Sequence, residues 1–119
     1  MADKTDSILK TIRDKRLGDE NDTNFDTDLL TEINSALMNL TQIGVGPKTG
    51  FRITGEEETW SDFVEDRIDL EGVKTYVDDK TRLGFDPPVT GFTTTSIENR
   101  IRETEFRLSV QAEEGASNG

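Results

Sequence analysis

A chain of 119 residues with a formal charge of -11, 33% charged and only 31% hydrophobic, has room for one domain and a thin core, since globular chains are usually about 45% apolar. The sign of the charge counts against a protein that grips nucleic acid by displacing phosphate counterions. The chain has neither cysteine nor histidine, which excludes disulfides, thiolate or imidazole metal sites and His-assisted nucleophiles, and fits a reducing compartment.

The opening residues MADKTDSILK contain no apolar run of signal-peptide length. Nowhere does the chain approach the roughly 18 consecutive apolar residues of a membrane span, so no membrane partner is expected. TDSILKTIRDKRLG places Ile8, Leu9, Ile12 and Leu17 at helical spacing, with Asp6 or Ser7 as N-cap and Gly18 as the stop. The acids that follow come in blocks: six from Asp19 to Glu32, none from Ile33 to Gly55, and eight from Glu56 to Glu71.

The run GDENDTNFDTDLL invites comparison with a calcium loop, and the register fails twice. A loop starting at Asp19 puts Asn24 where the turn glycine belongs and Leu30 where a bidentate Glu must close it. Starting at Asp22 puts Thr27 and Ile33 there instead. No metal and no cofactor are expected. The run reads as a helix entrance, with Asp26 or Thr27 as N-cap and Asp28 in the first turn, where the dipole favours negative charge. Asp19, Glu20 and Asp22 remain as a solvated loop, a candidate acidic channel or partner surface.

DTDLLTEINSALMNLTQIG is the strongest helical signal: Leu29, Leu30, Ile33, Ala36, Leu37, Leu40 and Ile43 form one stripe, Gly44 stands at C′ and Pro47 follows. In GPKTGFRITGEEETW the period changes, and Phe51 and Ile53 alternating with Arg52 predict a short strand or hairpin near 51–60. VGPKTG lacks the GK[ST] ending of a phosphate loop and reads as a turn. Glu56, Glu57 and Glu58 join Asp62, Glu65, Asp66 and Asp69 in the second acidic block; the three glutamates are further candidates for the acidic surface. With no apolar pocket implied to raise a carboxyl pKa, this block does not read as a catalytic pair.

Thr59-x-x-Asp62 resembles a capping box and opens a short helix in which Trp60 is a core anchor. Asp69 caps a third main helix, with Leu70, Val73, Val77 and Leu83 apolar and Tyr76 on the flank, ending at GFDPP because Pro87 and Pro88 cannot continue it. A last helix is expected from Thr95, whose pairing with Glu98 is a T-x-x-E box, with Ile97 and Ile101 on one face. In EFRLSVQ the residues Phe106, Leu108 and Val110 alternate as a half-buried strand would, although helix is the reading retained. The whole is a mainly α, single domain over residues 1–119, a small bundle of about four main helices, with residues 1–5 and 112–119 expected to be flexible.

Taken in order, these segments resemble the head–tail connector, or adaptor, family of tailed bacteriophages. The likeness runs over roughly Ser7 to Gln111, and its most characteristic stretches are GVGP, TWSDF, VKTYV followed by Arg82-Leu83, and FDPP. The resemblance implies a structural virion protein without catalysis or cofactor, assembled in the host cytoplasm. It implies self-association into a ring, commonly a dodecamer, beneath the portal protein. Such a ring joins the portal to the stopper or tail-completion protein and extends a channel through which DNA passes without specific binding. The family offers no residue signature for the contacts, so the interface is read from the residues themselves. Phe106, Leu108 and Val110 are the candidates to dock on portal or on the adjacent subunit while the rest of the domain folds without them; otherwise they close the domain's own core. An alternative is an acidic DNA mimic that inhibits a nucleic-acid-binding enzyme. A carboxylate-dependent hydrolase would require a buried acid pair and a metal.

Overall fold

Ser7 starts the first helix, α1 (Ile8–Leu17): its hydroxyl accepts a hydrogen bond from the Lys10 N–H at 3.3 Å, and Gly18 ends the helix in the left-handed region at φ 75°. The structure, a computed structural model, describes residues 6–65 and 68–118, with side chains up to residue 114. Residues 1–5, expected to be flexible, and Asp66 of the second acidic block lie outside the described residues.

α2 (Asp26–Gln42) carries the expected stripe, with Leu29, Ile33, Ala36, Leu37 and Leu40 all buried. Its end is a Schellman motif. The Gly44 N–H reaches the Thr41 carbonyl at 3.1 Å and the Val45 N–H the Leu40 carbonyl at 2.9 Å, while Val45 and Leu40 are both buried. The start differs from expectation. Phe25 is the N-cap residue, without a side-chain cap, because both carboxylate oxygens of Asp26 are taken by Arg13.

α3 (Trp60–Phe63) has the reciprocal capping box of Thr59 and Asp62. Asp69 caps α4 (Leu70–Phe85) by accepting from the Gly72 N–H at 3.1 Å. α5 (Gly91–Asn118) starts four residues before Thr95, which corrects the expected boundary. The helix is free to begin as soon as Pro88 is passed, and Thr90 caps it: the Thr93 N–H donates to the Thr90 hydroxyl at 3.3 Å. EFRLSV is helical throughout, and residues 112–118 continue the same helix.

No sheet forms among the described residues; Ser7 and Thr59 make an isolated bridge. The short strand or hairpin expected near 51–60 is not seen, and residues 51–53 are held by a side chain instead of a neighbouring strand. Asn34 of α2 donates to the Ile53 carbonyl at 2.9 Å and accepts from the Ile53 N–H at 2.7 Å, doing with one amide what a neighbouring strand would do.

α4 is the central helix, with α2 and α5 packed against it and α1 lying across α2 and α4. Trp60 and Tyr76 are both fully buried, Tyr76 in the core rather than on its flank; the Trp60 indole N–H donates to the Thr11 hydroxyl at 3.0 Å. The result is a slab of 42 × 39 × 20 Å with a radius of gyration of 14.1 Å, close to the roughly 13.5 Å expected of a chain this long.

Candidate interaction surfaces

The charged residues divide into those that hold the slab together and those left on its faces. Three Arg–Asp forks tie helix to helix. Arg13 grips Asp26 at 2.9 and 2.6 Å, Arg16 grips Asp78 at 2.7 and 3.2 Å, and Arg100 grips Asp79 at 2.7 and 2.6 Å. They link α1 to α2, α1 to α4 and α4 to α5. Each is bidentate, the geometry in which a planar guanidinium gains most from a carboxylate.

Arg13 is the hub. Only 1% exposed, it also donates to the Glu20 carbonyl at 2.9 Å and to the Glu56 carboxylate. Its hydrogen bond with Asp26 outweighs burial and holds it more firmly protonated than a free arginine. Hydrogen bonding to Arg13 in turn holds the Glu56 carboxyl below the usual carboxylate range. One buried cation thus draws together the two acidic blocks, which lie far apart in the sequence. The sequence reading missed it, although its spacing of four from Leu9, on the apolar side of α1, was a signal.

The candidate acidic residues have separate fates. Asp19 and Asp22 fold their carboxylates onto the loop's own backbone, accepting from the Asn21 and Asn24 N–H groups at 2.9 and 3.0 Å. Glu20 contributes its carbonyl to Arg13, Glu56 pairs with Arg13 and Glu57 is exposed. Glu58 turns back to accept from the Thr54 N–H and hydroxyl at 3.0 and 2.9 Å. Burial opposes ionisation of Glu58, but the Thr54 and Gly55 donors prevail and depress its pKa. Among the described residues no three acidic side chains converge as metal ligands would.

Tyr76 links the helices at the centre of the slab, donating to the Glu105 carboxylate at 2.6 Å; burial, reinforced by Glu105, pushes its phenol pKa upward. The N-terminus of α4 is bound to α5 as well, where the Asp69 N–H donates to the Gln111 side-chain oxygen at 2.9 Å.

The helical register separates the three apolar candidates of α5. Leu108 lies in the chain's own core at 0% exposure, whereas Phe106 and Val110, one turn apart on the outer face, are 73% and 36% exposed. Val89 and Phe92, at the start of α5, are also exposed and were not singled out from the sequence. A groove of about 940 Å³ opens between α2 and residues 49–54, lined among others by the half-exposed Met38 and by Phe51 and Ile53.

A family model described as phage connector protein matches residues 8–115. No curated protein and no solved structure matches the chain.

Proposed function

Since the chain belongs to the phage connector protein family, we propose that it is a structural virion protein whose copies form a ring, twelve in the virion, that joins the portal to the stopper or tail-completion protein and extends the DNA channel. The family match over residues 8–115 carries this reading. Membership itself makes the chain a component of the head–tail connection of a phage. Ring closure, the copy number, the channel, the stopper as partner and assembly in the host cytoplasm are the further steps proposed.

Physical features support them. A slab 20 Å thick with a large exposed Phe on an outer helix suits side-by-side packing better than a solitary life. The carboxylates of Asp19, Asp22 and Glu57, with the net charge of -11, would keep a DNA path repulsive, so that DNA slides rather than adheres. Among the described residues no helix is long and apolar enough to cross a membrane. The proposed role needs no catalysis. The DNA-mimic alternative is weakened because Asp26, Glu56, Asp78 and Asp79 are engaged in internal ion pairs.

Electron microscopy of the protein mixed with purified portal tests the reading. Added ring density on one end of the portal is the expected result. Absence of binding at high concentrations of both would overturn it.

A further inference from the structure

We propose that the groove between α2 and residues 49–54 receives the outer stripe of α5, centred on Phe106 and Val110, from a second copy of this chain. The inference rests on the ring reading and names the contact that would close it.

The groove is already formed in the single subunit. Asn34 clamps Ile53 through both of its backbone groups, and the Phe51 ring packs on Phe63 with centroids 5.2 Å apart, so the wall opposite Met38 is held in place. A preformed wall lowers the ordering cost of binding.

Charge selects the guest. None of the residues lining the groove is acidic and Arg52 is the charged one among them, with Lys48 just before residues 49–54, while the Glu58 carboxylate reaches the groove's edge at Thr54. A matching surface needs apolar anchors bounded by carboxylates. The outer face of α5 has that order: Glu103, Phe106, Val110 and Glu114 recur at steps of three and four, and all four are exposed. They span about 16 Å of helix at 1.5 Å per residue. The neighbouring cations are drawn aside, Arg107 towards Asp69 at 3.7 Å and Arg102 onto Asn99. The other exposed apolar pair, Val89 and Phe92, has Asp86 three residues before it but no acid within the next five after it, and so is bounded by a carboxylate on one side only.

Groove and stripe belong to different helices, α2 and α5, which pack on the central α4. A contact between two different surfaces of one protein is heterologous, and its repetition gives a ring where the rotation closes and an open filament where it does not.

The absence of cysteine makes the test direct. Ser35→Cys at the groove and Ser109→Cys beside the stripe are combined in one chain that keeps Met38, Phe106 and Val110. This variant is treated with a short bismaleimide, free at high concentration and on purified portal, with light scattering and electron microscopy of the same samples. The expected result is a ladder of cross-linked multimers, abolished by adding Phe106→Asp and absent from a Ser35→Cys, Val89→Cys control. Assemblies whose cross-linking does not exceed the control, or a Ser109→Cys chain that cross-links only to portal, would overturn the inference while leaving the ring in place. Failure to assemble at all, free or on portal, would overturn the ring reading and this contact together.

Discussion

The most consequential single residue is Arg13, a buried cation with partners in three separate segments. Arg13→Met is expected to lower stability by about 3 kcal/mol, the lower end for breaking a buried pair because Asp26 and Glu56 keep some access to water. Arg13→Lys should recover little of the loss, since an ammonium cannot fork onto Asp26 while reaching Glu20 and Glu56. Urea unfolding followed by circular dichroism decides both; an unchanged midpoint for Arg13→Met would remove the hub from the argument. Glu58 gives the fold a pH dependence of known sign. Its folded pKa lies below the ordinary 4.5, so its contribution is present above that value and is lost as pH falls through the folded pKa. The midpoint difference between the wild type and Glu58→Gln should therefore be full at pH 7 and shrink as the pH falls below 4.5 through the folded pKa. Tyr76 acts in the opposite range. Its folded pKa is raised above the ordinary 10.0, so stability held below that pH is lost as the pH climbs further. Thr81 offers the reverse test, since its fully buried hydroxyl has no hydrogen-bond partner among the described residues. Thr81→Val should raise stability by about 1 kcal/mol.

At the scale of elements, α5 decides how the molecule is read, because up to residue 114 it presents one face to the core and another to solvent. Leu108→Ala is expected to cost about 2–5 kcal/mol, and Phe106→Ala to stay within about 0.5 kcal/mol of the wild type while impairing assembly. Equal losses for the two in thermal unfolding would contradict the helical register. Truncation after Arg102 removes Leu108 and Ala112 from the core and should unfold the domain rather than spare it. The sequence showed where helices lie wherever apolar spacing and caps agreed: Ser7, Gly18, Gly44, Asp69 and the Thr59–Asp62 box all stand in their expected roles. It misled where a local signal met a distant partner. Asp26 had the chemistry of a cap until Arg13 bound both its oxygens, and the Thr95 box yielded to Thr90, which meets the chain first after the prolines. FRLSV, read as helix in spite of its alternation, is helical, and the helix places residues 106 and 110 together and sends 108 to the other side. The groove was not legible at all, for it depends on Asn34 holding a segment 19 positions away.

For the whole molecule, charge sets the conditions under which copies meet. Each subunit carries -11, and repulsion between such bodies opposes assembly, while contact between a groove with Arg52 in its lining and an acid-bounded stripe favours it. The two effects differ in range. At about 0.01 M ionic strength the Debye length is roughly 30 Å, comparable with the 39 and 42 Å breadth of the slab, so every charge of one subunit acts on its neighbour. At about 0.15 M it is roughly 8 Å, and charges across the slab no longer repel, while those within the contact still attract. The apolar anchors Phe106 and Val110 are little affected by salt over this range. Self-association is therefore expected to be weakest at the lowest ionic strength, to strengthen towards 0.15 M and then to change little. Sedimentation velocity at fixed protein concentration reads this directly, and a steady weakening from the lowest salt upward would mean that ion pairs, not apolar anchors, hold the copies together.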